Sequence, residues 1–428
     1  MTALAHAQTV NVARPYIADH YSAALTIDFE HKRIQGTETI RVRSSGEQLR
    51  ELEFDADEIV VKSVTVGRQP QRFSQLVDTG TSRGHVRIQL NRPLKRHGRI
   101  DIELTFEGSP AKGLLFIEGQ AYTVYNTSHW LVVNHEPRDL ATFDLSLDVP
   151  GDMVVVANGD NIANTRAGNR LLSKWEEKRA IPDFVLGFAV GRYAQESAMV
   201  GQTTLRYFSA RHNGAQMGQV FHSTAAALRF FSEKAGVAYP SRSYTQVLAG
   251  GSPEQELGDF TLLPGKYGDQ LLSQPDDEWL MAHELAHQWW GIGVACRTWS
   301  DFWLNEGIAS FMADVFLGEQ YGAARYEDEI EMARNVYNGL KDSGKDRPLH
   351  FTDWKSEKDV GGRLPYSKGA WVLHLLKQQL GEETFWRGFS SYTRRNWGRT
   401  VTTGDFQLSM EQAAGMSLRS FFDQWVYR

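Results

Sequence analysis

Cysteine is almost missing: Cys296 stands alone among 428 residues, so no disulfide can form within the chain. A run of like charge is missing too. The 46 basic and 52 acidic residues give a net charge of -6 with no basic cluster, which removes the footprint that a nucleic-acid partner requires. No window approaches about eighteen uncharged apolar residues, so no helix here is apolar enough to cross a bilayer. Fixed-period repeats and low-complexity linkers are absent, so any join between domains is expected to be a packed interface. What remains is an ordinary globular composition, 41% hydrophobic and 23% charged, with twelve Trp. The length exceeds one compact core and predicts roughly two or three domains. At the start, "MTALAHAQ" places Ala5 and Ala7 around His6 ahead of Gln8. That fits the end of a secretory signal peptide, and so a periplasmic or secreted protein, and it fits a polar N-terminal tail equally well.

From Tyr16 to Tyr193 the chain alternates apolar and polar residues over strand lengths, as in "YSAALTIDFE", "QGTETIRVRS" and "ATFDLSLDVP", punctuated by Gly, Pro, Asn and Asp. The pattern predicts antiparallel sheets with one wet face. Beyond residue 197 the spacing turns helical. In "PYSKGAWVLHLLKQQLG", Val372, Leu375, Leu376 and Leu380 share one side. The fold class is therefore α+β and multidomain, with a β domain over 8–197 and a mostly helical domain over 198–428.

The stretch "HELAHQWW" lies in the helical part. Ser273 and Asp276 form a capping-box-like start and Gly291 and Gly293 a stop, predicting one helix over "PDDEWLMAHELAHQWW". Its His283 and His287 then share a face, where two imidazoles can bind one Zn²⁺. Glu284, about 100° round the helix, can reach a metal-bound water. By itself the pattern also fits an amphipathic helix with two hydrogen-bonded histidines. A catalytic zinc needs a third protein ligand and an open position. "DFWLNEGIASFMADVF" offers Glu306, with eighteen residues between it and His287, on a second helix that Ser300 can cap. The apolar neighbours Trp303, Leu304, Ile308 and Phe311 argue against a simply solvated carboxylate. Asn305 either hydrogen-bonds near the site or helps turn the helix start.

Taken together, "AHELAHQWWG", "DFWLNEGIASF" and "LPYSKGAWVLHLL" resemble the gluzincin zinc metallopeptidases, in particular the aminopeptidase N and leukotriene hydrolase family. The resemblance extends over both domains. It implies a saddle-like N-terminal β domain, a thermolysin-like catalytic domain, peptide substrates, and one catalytic zinc held by His283, His287 and Glu306. Glu284 would be the general base, and Tyr366 in "LPYSKGA" matches the family's oxyanion donor; without that context Tyr366 reads as a buried aromatic at a helix start.

The amine-binding end departs from the family pattern. Where the family has Gly-x-Met-Glu-Asn, this chain reads "AGGSPEQELGDF". Held in register on Gly258, the motif's glutamate falls on Gln255, which cannot neutralise an ammonium. A one-residue slip restores Glu256, and Glu254 flanks both. From the β domain, Asn126 in "TVYNTSHW" is the matching polar residue. The carboxyl end, "GMSLRSFFDQWVYR", looks like the close of the family's catalytic domain. Without the helical domain found in many members, a more open cleft is expected, or a second copy of the chain supplying the missing wall in a homo-oligomer. The leading reading is a zinc-dependent aminopeptidase. Beside it stand an endopeptidase or dipeptide-releasing enzyme with a relaxed need for a free amino terminus, and a non-catalytic peptide-binding protein. His129, His135 and His374 are read as ordinary polar or partly buried contacts, and Cys296 as a small buried hydrophobe.

Overall fold

The computed structural model describes residues 14–77, 83–352 and 362–428, so the Ala5–Ala7 pattern lies outside the described residues. An eight-stranded sheet dominates the first half. Its order is Asp160–Ala167, Arg170–Pro182, Leu140–Pro150, Tyr16–Asp28, Arg33–Ser44, Arg99–Gly108, Ile59–Val66 and Gln69–Pro70. Neighbours run antiparallel except Tyr16–Asp28, which lies parallel to Leu140–Pro150. Strict alternation drives the folding: in Leu140–Pro150, Ala141, Phe143, Leu145, Leu147 and Val149 are buried, and the residues between them are partly exposed. A three-stranded and a four-stranded sheet complete this part.

One buried charge in this sheet has a measurable consequence. Glu38, on Arg33–Ser44, is 1% exposed; its Oε2 accepts the Val132 N–H at 2.9 Å and its Oε1 has no partner. Burial raises its pKa from the ordinary 4.5 to about 8. A raised folded-state pKa means that the stability it contributes is complete below about pH 4.5 and is lost as pH rises through about 8. Glu38→Gln keeps an acceptor for Val132 without the charge. Its stability advantage over the wild type should grow between pH 6 and pH 9, reaching on the order of 2 kcal/mol in denaturant unfolding. A difference that does not change with pH would refute this.

The second half starts with a mixed sheet in the order Ala194–Val200, Thr203–Ser209, Ser243–Ala249, Phe260–Pro264 and Gln255–Leu257. Position 197 therefore falls within a strand that pairs with Thr203–Ser209. Helices follow, among them Gly265–Ser273, Trp279–Ala286, Trp303–Tyr321, Ala323–Asp342 and Arg363–Leu380. Two helix boundaries differ from the sequence expectation. Ser273 does not open the histidine helix; it is the last residue of Gly265–Ser273, and its hydroxyl donates back to the Gln270 carbonyl at 2.9 Å. The histidine helix starts at Trp279 and ends at Ala286. Likewise Ser300 does not cap the next helix. It sits inside a short 3-10 turn, Trp299–Asp301, which Thr298 Oγ1 braces by donating to Asp301 Oδ2 at 2.7 Å.

The two halves meet through packed apolar surface. Ile292, Cys296, Trp299 and Phe302, which lie between the histidine helix and Trp303–Tyr321, belong to the core of the β half. Trp299 packs on Phe184 and His135, and Phe302 packs on Phe184. Arg179 adds a polar bridge, reaching Glu177 at 2.8 Å and Asp259 at 2.7 Å. The β half thus fixes the loop joining the two helices that carry the site.

Candidate metal centre and active site

His283 on the helix and His287 at its C-cap, four residues on, present their rings perpendicular with centroids 4.7 Å apart, and their Nε2 atoms approach to 3.1 Å. Trp303–Tyr321 packs beside this helix and brings Glu306 Oε2 to 3.4 Å from His283 Nε2 and 3.5 Å from His287 Nε2. The helix Arg363–Leu380 crosses Trp303–Tyr321 where two glycines meet. A Cβ at Gly307 would lie 2.9 Å from the Cα of Gly369, so only glycine allows this approach. Lys368 tethers the same helix through Asp346 Oδ1 at 2.8 Å and the Arg347 carbonyl at 2.6 Å. Tyr366 is thereby held with its ring 5.6 Å from that of His283.

Hydrogen bonds fix the imidazoles. His287 Nδ1 faces the Trp290 carbonyl at 3.1 Å, which makes Nδ1 the protonated nitrogen and leaves a lone pair on Nε2. His283 Nδ1 lies 3.4 Å from Ser310 Oγ. Trp279 stacks on the other side of the His283 ring, with centroids 4.8 Å apart at 17°, and its indole N–H donates to Asp314 Oδ1 at 2.7 Å. Asn305 accepts the Cys296 N–H at 3.1 Å and so ties the helix start to the preceding strand.

The electrostatics call for a cation. His283, His287 and Glu306 are all buried, and a candidate ligand atom of each lies within 4.8 Å of the others. Glu306 Oε2 has no hydrogen-bond partner among the described residues. Burial lowers the His283 pKa to about 4. While Nε2 binds no metal, Glu256 and Glu306 raise His287 to about 10 against its burial, so a metal that takes the Nε2 lone pair displaces a proton there. Glu306 is held at about 2 against its burial by His287 and His283. Burial pushes Glu256 up to about 7, and burial reinforced by Glu256 pushes Glu284 well above the ordinary carboxylate range. Two nitrogen lone pairs and an unpartnered carboxylate oxygen converge among further buried acids, and that donor set suits one divalent zinc.

A cavity of about 490 Å³ opens over this cluster, bordered by Glu284, Tyr366, Glu254, Glu256, Trp279 and Tyr125 among others. The edge strand Gln255–Leu257 alternates, which separates the three amine-binding candidates. Glu254 and Glu256 face the cavity; Glu256 also groups with Glu284 and His287 within 4.8 Å. Gln255 does not reach it, because its Oε1 accepts the backbone N–H of Tyr125 and its Nε2 donates to the Glu256 carbonyl at 2.9 Å. Asn126 does not line the cavity either. Tyr125, next to it, does, with its hydroxyl donating to the Glu254 carbonyl. Tyr125 and Asn126 both hold φ 38°, the left-handed region that costs a non-glycine residue roughly 1–3 kcal/mol. The strained pair marks where the β half reaches the cavity, a position that residue types alone do not reveal. Gln288 was also missed: its Nε2 donates to the Leu257 carbonyl at 2.9 Å and its Oε1 accepts the Asp259 N–H at 3.0 Å. It joins the histidine helix to the strand that carries Glu256.

The remaining histidines make ordinary contacts: His129 with Glu58 at 3.0 Å, His135 with Asp183 at 3.7 Å and His374 with Tyr326 at 2.7 Å. Cys296 is fully buried.

A β half docked on a helical half that carries two histidines and a carboxylate is the architecture of a zinc metallopeptidase. The chain belongs to peptidase family M1: the Peptidase M1 N-terminal domain matches residues 17–185 and the Peptidase family M1 domain matches residues 266–425. Membership implies a catalytic zinc ion. "Probable aminopeptidase 2" of Sulfurisphaera tokodaii is 22% identical over 95% of this chain and 53% of its own length. Aminopeptidase N of Canis lupus familiaris is 25% identical over 71% of this chain and 35% of its own. The chain thus spans about half or less of these curated relatives. A crystal structure of a mutant M1 zinc metallopeptidase from Deinococcus radiodurans, bound to a Tyr-Ser-Ala substrate, superposes with a TM-score of 0.82 at 25% identity. It covers 97% of this chain and 94% of that one. Native yeast LTA4 hydrolase superposes at 0.83 with 19% identity, covering 97% of this chain and 68% of its own.

Proposed function

We propose that this protein is a zinc-dependent aminopeptidase that hydrolyses the N-terminal residue from peptides. The observation that carries the reading is Glu256, a buried carboxylate beside Glu284 and His287 in the cavity wall. In so dry a place a carboxylate is matched by a substrate ammonium. Glu254 on the same face adds a second negative charge at the cavity rim.

His283, His287 and Glu306 would hold the zinc ion, which when bound lowers the pKa of water to roughly 7 and polarises a carbonyl. Glu284 takes the proton of the attacking water and delivers it to the leaving amine. Its burial, which disfavours the charged form, suits a base that must hold that proton between the two steps. Burial and the charge of Glu306 hold the Tyr366 phenol well above its usual pKa, so it stays protonated and can donate to the developing oxyanion. Glu256 fixes the amino end, so the first peptide bond is the one presented to Glu284.

Paired peptides, free and N-acetylated, test this reading with the zinc-loaded protein. The free peptide is expected to be cleaved roughly 100-fold or more faster, because acetylation leaves Glu256 unpaired. Glu256→Gln should raise KM for the free peptide and narrow that ratio. Equal cleavage of both peptides by the wild type would overturn the aminopeptidase reading in favour of an endopeptidase.

A further inference from the structure

A second cavity, of about 480 Å³, adjoins the catalytic one and shares Trp279, Arg363 and Tyr366 with it. Glu254 and Glu256 border the catalytic cavity and not the second, so the second lies beyond Tyr366 and Trp279 from the amine-binding end. One wall is apolar, from Met332, Ala333 and Val336 on the helix Ala323–Asp342. Another wall carries Asp314, which is 3% exposed. Its Oδ1 accepts the Trp279 indole N–H, but its Oδ2 is buried with no partner among the described residues.

Among the described residues Asp314 pairs with no cation. Burial and the neighbouring Glu329 push its pKa well above the ordinary range, as expected for a carboxylate without a counter-charge. Arg325, which also borders the cavity, is engaged by Glu329 at 2.7 Å and reaches towards Asp276 at 4.0 Å. Arg363 is exposed and stands where the two cavities join. Among the described residues, the charges bordering the second cavity are thus three acids (Asp277, Asp314, Glu329) against two bases (Arg325, Arg363), an excess of one acid. An apolar wall leading to an unpartnered buried carboxylate matches a lysine or arginine side chain, an aliphatic stem with a cationic head.

We infer that this second cavity selects a basic side chain, lysine or arginine, on the residue that follows the scissile bond, with Asp314 as its counter-ion. The inference rests on the aminopeptidase reading. With the substrate amine at Glu256 and the scissile carbonyl under Tyr366, the next side chain leads past Tyr366 and Trp279 into this space.

The test compares Ala-Lys-Ala with Ala-norleucine-Ala, which share stem length and differ in the cationic head. With the zinc-loaded protein, kcat/KM is expected to favour lysine by on the order of 10- to 100-fold. Asp314→Asn keeps an acceptor for Trp279 and removes the charge. The ratio should then fall to about one, whatever the change in absolute rate, because a merely structural role for Asp314 would lower both peptides alike. The same pair is titrated calorimetrically into zinc-loaded Glu284→Ala protein. If neither peptide is hydrolysed by the wild type but lysine still binds more tightly, and only with Asp314 present, the aminopeptidase reading fails and the basic-selective cavity stands. Equal rates and equal affinities for the two peptides, or a lysine preference that survives Asp314→Asn, would overturn the inference.

Discussion

Glu284→Gln should leave the zinc content at one ion per chain and lower kcat by roughly 10³- to 10⁴-fold. The side chain is not one of the three assigned to the metal (His283, His287 and Glu306), yet it borders the same cavity and its Oε2 has no partner among the described residues. Substitution by Gln preserves shape and removes the ability to accept and return a proton. KM should change little, since Glu256 and not Glu284 is assigned to the substrate amine. Zinc analysis and steady-state kinetics on one preparation decide the matter. Retained turnover with full zinc would remove Glu284 from the proton path, and loss of zinc together with turnover would make it a ligand.

His287→Ala is expected to have the other large effect, removing metal and activity together. His287 contacts His283 and Glu306 through Nε2 and is locked by the Trp290 carbonyl, so its loss removes one of the three converging donors. The metal supplies several kcal/mol of transition-state stabilisation, and at about 1.4 kcal/mol per decade the activity should fall more than roughly 10³-fold. Chelation of the wild type should have the same effect reversibly and should lower the Tm, since a ligand bound only by the folded state adds its binding free energy to stability. Readdition of zinc should restore both activity and Tm in the wild type and neither in the variant. Full activity after metal removal would contradict the proposed centre.

The parts of the site legible in the sequence were those carried by fixed helical spacing. His283 and Glu284 lie on one short helix and His287 caps its end with helical backbone angles, so the helix geometry leaves their relative placement little freedom. Glu306 could be named because its helix follows after a short connection. Boundaries were less legible. Ser273 with Asp276 has the composition of a helix start, yet the chain breaks after Ser273 and the helix begins again at Trp279. The central sheet of the second half was hidden for a different reason. Ser243–Ala249 and Phe260–Pro264 are buried at every position, so they show none of the alternation that marked the β half. The amine-binding candidates could not be separated by motif register, because the deciding fact is which way each side chain points at and just before an edge strand. Once Gln255 is committed to the Tyr125 backbone, period-two alternation turns Glu254 and Glu256 to the cavity.

The meeting of Gly307 with Gly369 constrains how this site can be moved or redesigned. Each glycine is the only neighbour the other can tolerate at that distance, so neither helix keeps its place when transplanted without the other. Glu306 sits one residue before the first glycine and Tyr366 three before the second, so a carboxylate and a phenol from distant parts of the chain travel as one cassette. A graft of this chemistry into a new scaffold must therefore carry Trp303–Tyr321 and Arg363–Leu380 together.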